Sequence, residues 1–247
     1  GKASVEWILQ AGELALSGQV QAIATAPIHK EAARAAGYQD IGHMELLQSL
    51  TGAKEVATML TAGNLRVVHL TTHRTLARAI EYVTKDHILA KLELTNRSFQ
   101  EWGFPTPRIG IAALNPHAGE DGALGREDGE IIVPAITELN AAGINAFGPL
   151  PADTMFHAEA RATYDAAVCM YHDQALIPAK TLGFHDSVNV TLGLPFIRTS
   201  PDHGTAFALA GKGQARPDSL VAAIRLAAKM ANTEVEIETL QALSKTL

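Results

Sequence analysis

Three histidines stand just past apolar runs that read as strands. His73 follows residues 66–71, His117 follows 109–114, and His172 follows 166–170. Strand ends in an α/β sheet converge at their carboxyl edge, where such folds carry ligands. A neutral imidazole is a common ligand for a divalent transition metal. Any one of these histidines reads more simply as a loop residue satisfied by nearby backbone. Their separations carry no short-range metal-ligand spacing, so the residues alone leave both readings open. Asp173 follows His172 directly and Asp202 precedes His203. Either carboxylate could orient an imbalanced imidazole by taking its second N–H, or simply cap a loop or helix.

A cationic group lies nearby in sequence. Lys180, Asn189 and Arg198 combine a point charge, an amide and a planar fork, which together suit a phosphate. A solvated surface face explains Lys180 equally well. It explains Arg198 less well, because the apolar run 192–197 leads directly into it. His203-Gly204-Thr205-Ala206, followed by Ala210-Gly211-Lys212-Gly213, forms a glycine-rich stretch that could let a nucleotide approach the backbone. The G-x-G-x-x-G dinucleotide fingerprint is absent from this stretch.

The elements that must position these residues alternate. Helical patterns read over about 1–17, 75–102, 130–142 and 220–231, with a shorter one beginning around 30. Strands read over about 20–25, 66–71, 109–114, 166–170 and 187–191, with a weak one near 146. This alternation defines an α/β protein. The 247 residues are 47% hydrophobic and 19% charged, enough for one large or two modest domains with a core of Ala, Leu, Ile and Val. A net charge of −6 argues against a nucleic-acid surface. No apolar run is long enough to span a membrane. The one cysteine, Cys169, sits in an apolar run, reads as a core residue, and fits a reducing, cytoplasmic compartment.

The segments TAPIHKEA, GHMELL, LTTH, NPHAGEDG, YHDQALIPAK, VNVTLGLPFIRTS and DHGTAFALAGKG resemble, in order, the 4-hydroxythreonine-4-phosphate dehydrogenase family. The resemblance implies an isocitrate/isopropylmalate dehydrogenase-like fold, with two interleaved α/β domains and a cleft. About 1–30 and 155–247 would form the cofactor side, and about 31–154 a central dimerisation domain. It implies a homodimer with the metal at its interface, held by His73, His117 and His172. It implies that His43 and the adjoining Met44, with Lys180, Asn189 and Arg198, bind substrate, and that His203, Gly204 and Thr205 lie on the cofactor side. NAD or NADP and a divalent metal such as zinc, cobalt or magnesium would be the cofactors. The general base stays open among His43, Asp173 and Asp202.

The implied reaction is oxidation and decarboxylation of a small phosphorylated hydroxy acid, such as 4-phosphooxy-L-threonine in pyridoxal phosphate biosynthesis. D-threonate or D-erythronate 4-phosphate is the alternative substrate within the family. Another relative oxidises aromatic cis-dihydrodiols and needs no phosphate grip, which Lys180, Asn189 and Arg198 argue against. A metal-dependent hydrolase and a non-catalytic binding fragment are the readings outside it. Two departures bear on this choice. Met44 replaces the family's usual Thr, so a hydroxyl gives way to a thioether. The family's Gly- and Pro-rich N-terminal segment has no counterpart, and the expectation is a fragment of a longer enzyme.

Overall fold

The computed structural model describes residues 1–40 and 42–231. In chain order the elements are α1 (Lys2–Leu16), β1 (Ala22–Ala24), α2 (Lys30–Ala35), α3 (His43–Thr51), β2 (Ala57–Ala62), β3 (Leu65–His69), α4 (Leu76–Tyr82), α5 (Lys85–Glu101), β4 (Ile109–Ala112) and α6 (Val133–Ala141). They continue with β5 (Ala146–Leu150), α7 (Ala158–Arg161), β6 (Ala166–Cys169), α8 (His172–Leu182), β7 (Val188–Leu192), β8 (Ile197–Pro201) and α9 (Asp218–Ala231). The class is α/β. Two compact units emerge, one from residues 1–56 with the described part of 185–235, the other from 57–184.

The first unit pairs β1 with β8 in parallel and β8 with β7 antiparallel. Helix α9 packs on β8 and β1, and α1 packs on α3. Val5, Ile8, Ile23, Leu46, Leu47 and Leu194 form the core. In the second unit β2 and β3 form an antiparallel hairpin, and β3, β6, β4 and β5 follow in parallel. Strand β6, Ala166 to Cys169, is buried at every position, as a strand flanked on both edges and covered on both faces must be. Helix α8 covers one face through Ala175 and Ala179, against Leu60, Val67, Ala167 and Cys169. Helix α5 buries Ile88, Leu92, Thr95 and Phe99, a stripe at helical spacing.

These unit boundaries differ from those expected near residues 30 and 155, and the cores give the reason. Helices α2 and α3 contribute Ala33, Leu46 and Leu47 to the first unit's cluster. Strand β6 and helix α8 belong to the second through their pairing with β3. The tail of the expected 155–247 segment, 232–247, lies outside the described residues.

The single helix expected over 75–102 is two helices. Val83 and Thr84 are extended, and the Thr84 hydroxyl accepts from the His87 N–H at 3.3 Å, starting α5 afresh. Strand β2 escaped the pattern reading because its burial does not alternate. The tight turn at Gly63-Asn64, with Gly63 at φ 56°, marks the hairpin instead. Helices α3 and α8 and strand β8 lie in stretches to which the sequence pattern assigns no element of their own. His43 and His172 therefore open helices, Lys180 rides on one, and Arg198 is a strand residue.

Phe99 is fully buried. Replacing it with Ala is expected to cost about 3–5 kcal/mol, read as a lowered urea midpoint of the cooperative transition.

Candidate functional site

In the second unit, parallel pairing puts the ends of β3 and β6 side by side. The ends are tied by the Leu70 N–H to Cys169 O at 2.9 Å and by the Thr71 hydroxyl to Met170 O at 2.9 Å. The chain then turns into α8. Buried Gln174 accepts from the Met170 N–H and donates to Ala113 O, both at 2.7 Å, so it fastens the end of β6 to the end of β4. The YHDQ segment was singled out for its histidine, but the glutamine's bridging position depends on which strands are neighbours.

This anchoring brings His73 and His172 together, with ring centroids 5.5 Å apart. His172 Nδ1 lies 2.7 Å from Asp173 Oδ1. In the tautomer that donates this bond, Nε2 keeps its lone pair for a ligand. A pocket of about 310 Å³ is lined by Thr72, His73, Arg74, Tyr171, His172 and Asp173, among others. The Arg74 guanidinium sits 4.3 Å over the Tyr82 ring beside it. His69, at the end of β3, is buried and bonded to Thr58 O at 3.2 Å, and its ring lies 6.2 Å from that of His172.

His117 lies on the loop after β4. No group of three His, Cys, Asp or Glu among the described residues of one chain is arranged to hold a metal ion. The two imidazoles are of a type that suits a divalent metal. The loop has an unusual backbone: His117, Ala118, Gly119, Glu120 and Asp121 all have positive φ, between 45° and 80°. For L-residues this left-handed conformation costs roughly 1–2 kcal/mol per residue, so the surroundings must enforce it. The Asp128 carboxylate, 1% exposed, does much of that. It accepts from Leu114 N–H at 2.7 Å, Asn115 N–H at 3.0 Å and the Asn115 amide at 2.9 Å. The same amide donates to Glu127 Oε2 at 2.8 Å. That bond, after Glu127's own backbone N–H, holds the Glu127 carboxyl below its ordinary range.

The first unit holds the cationic group. Arg198 on β8 is buried against hydroxyls: Nε and Nη2 donate to Thr25 Oγ1 at 3.1 and 2.7 Å, and Nη1 donates to Thr191 Oγ1 at 3.1 Å. Burial pulls its pKa down to about 10, with Glu45 opposing, so it is a cation at neutral pH. His43, opening α3, is pushed down to about 4, first by burial and then by the charge of Arg198; a bond with Ala26 backbone opposes the fall and Lys30 adds to it. The imidazole is therefore neutral beside the guanidinium. Met44 is half-buried next to it on the same helix. Asn189 donates to Asp202 Oδ1 at 3.0 Å, which places Asp202 against a candidate substrate ligand. Lys180 belongs to the second unit, on α8. His203, Gly204 and Thr205 lie on an exposed loop, where a side chain at Gly204 would meet nothing within 4 Å. Thr25 and Thr191 drew no attention in the sequence, since nothing in it pairs β1 with β8.

The described residues thus define an α/β protein with a buried anion-receptive guanidinium in one unit and a paired-imidazole cleft in the other. Residues 1–227 match the family described as pyridoxal phosphate biosynthetic protein PdxA, and the chain belongs to that family. It is 53% identical over 234 residues to the 4-hydroxythreonine-4-phosphate dehydrogenase of Caulobacter vibrioides, covering 92% of this chain and 70% of that one. It is 44% identical over 231 residues to the D-threonate 4-phosphate dehydrogenase of Pectobacterium atrosepticum, covering 94% and 71%. The crystal structure of 4-hydroxythreonine-4-phosphate dehydrogenase from Klebsiella pneumoniae superposes with a TM-score of 0.86 at 44% identity, over 92% of this chain and 70% of that one.

Because His43 binds its proton more weakly in the folded state than in the unfolded chain, the unfolded state takes up the extra proton between pH 6.5 and about 4. Stability is expected to fall as pH drops through that window. Thermal midpoints recorded against pH should show the fall, and His43→Gln should flatten it.

Proposed function

We propose that the chain is an NAD-linked dehydrogenase of 4-phosphooxy-L-threonine, a step of pyridoxal phosphate biosynthesis. The observation that carries this reading is Arg198, a buried cation cradled by two threonine hydroxyls with its charge available to a bound anion. The relatives' names supply the acid: a small hydroxy acid with a terminal phosphate. Arg198 offers the phosphate a directional fork and Asn189 a neutral hydrogen bond; Lys180 is the further cation that the family resemblance assigns to substrate. Neutral His43 can accept or donate a single hydrogen bond to the substrate without opposing the cation's charge.

His73, His117 and His172 are the residues that would hold a divalent metal. When bound, such a cation supplies Lewis acidity that lowers a hydroxyl's pKa. NAD or NADP, on the side of His203, Gly204 and Thr205, supplies the hydride acceptor. Asp173 orients His172 and fixes its tautomer. Oxidation of the hydroxyl leaves a ketone β to the carboxylate, from which carbon dioxide can depart. With no group of three metal-ligating side chains among the described residues, the pairing of His73 with His172 favours a homodimer, in which a second copy completes the ligand set at the interface. The finer architecture proposed is isocitrate/isopropylmalate dehydrogenase-like, with the first unit on the cofactor side and the second carrying dimerisation. A buried lone thiol suits a cytoplasmic enzyme; no helix among the described residues is long and apolar enough to cross a membrane.

D-threonate 4-phosphate is the second reading, favoured by Met44 and by the 44% identity to the Pectobacterium protein. Both acids should be assayed for NAD reduction with and without added divalent metal; turnover of neither sinks the proposal, and their ratio decides between them. His172→Ala is expected to abolish metal-dependent NAD reduction while the circular dichroism spectrum is kept. Arg198→Ala should raise KM for the phosphorylated acid roughly 10- to 100-fold, and an unchanged KM would remove the phosphate assignment.

A further inference from the structure

We propose that Asp128 is a positioning residue for His117, the centre of a clasp that fixes the left-handed segment from which this imidazole projects. The inference rests on the reading of His117 as a metal ligand. Three features of the clasp support it. First, the Asp128 carboxylate takes both backbone N–H groups immediately before the Pro116-His117 step, from Leu114 and Asn115. It therefore sets the direction in which the chain leaves β4. Second, the Asn115 amide spans the carboxylates of Asp128 and Glu127, closing the far end of the loop onto its start. Third, two glycines are required by close approach. A Cβ on Gly119 would lie 2.8 Å from Gly125 O, and one on Gly125 would lie 2.5 Å from the Asn115 amide nitrogen. The segment is closed internally as well, by Leu124 N–H to Gly119 O and Ala123 N–H to Glu120 O, both at 3.0 Å.

Five consecutive residues with positive φ, four of them non-glycine, do not persist without such enforcement. The stretch begins at His117 itself, so release of the clasp would let φ of that residue return to the ordinary region. Its Cα–Cβ vector, and the imidazole with it, would swing away.

The test is Co²⁺ binding by the metal-stripped chain, followed by calorimetry and by the visible absorption of the bound ion. His117→Ala is the reference. Asp128→Asn is expected to weaken Co²⁺ binding about 10- to 100-fold and to alter the cobalt spectrum in the same way as His117→Ala. The double variant should bind no more weakly than His117→Ala alone, because both changes remove one ligand. Losses that add, or an Asp128→Asn affinity within about twofold of the parent, overturn the proposal. Should Asp128→Asn fail to fold, Asn115→Ala leaves the two backbone bonds to Asp128 in place and opens only the bridge. Weaker Co²⁺ binding in that variant supports the clasp, and unchanged binding overturns it. If His117→Ala itself leaves Co²⁺ binding intact, the ligand reading has failed and the clasp has nothing to aim.

Discussion

The second unit depends on one constraint: β6 lies in parallel register between β3 and β4. Every residue of β6 is buried, so its polar backbone must be fully paired in the ladder, and that fixes where the strand ends. Because the three strands run the same way, their carboxyl ends emerge at one edge. Gln174 and Thr71 then fasten those ends to one another. The histidines inherit their positions from this edge. His172 begins the helix after β6, His73 sits in the turn after β3, and His117 rides on the loop after β4.

Strain and desolvation are stored near the chemistry in both units. In the second, a run of left-handed residues around His117 is enforced by buried carboxylate bonds. In the first, a guanidinium is buried against hydroxyls. A cation so placed loses more through desolvation than the Glu45 charge restores, which its lowered pKa reflects. A bound dianion is the natural compensation. The same burial and charge keep His43 neutral. Stability given up at these places is a usual signature of sites shaped for binding rather than for the fold.

Strand β2, the helices α3 and α8, and strand β8 show where pattern reading fails. Periodicity identifies an element only when one face is wet. Helix α8 carries His172, Asp173, Gln174 and Lys180 within eleven residues, with Pro178 inside it, so its polar chemistry masks its helical stripe. Strand β8 runs through Arg198, Thr199 and Ser200, all buried yet polar. Both elements are the ones that bear site residues, because functional groups displace the apolar residues on which patterning relies.

What the sequence determined by itself was the α/β class, the strand-end placement of His73 and His117, and the family, through motifs dense enough to be specific. Composition and periodicity suffice for those, since they depend on local spacing and on motif identity. What only the tertiary structure decided was partnership. The approach of His73 to His172, the hold of Thr25 and Thr191 on Arg198, the bridge made by Gln174, and the clasp of Asp128 on the His117 loop all join residues from elements whose adjacency no local pattern encodes. Strand order and register set those distances. They arise from the burial of whole elements against one another, a property of the packed chain rather than of any segment within it.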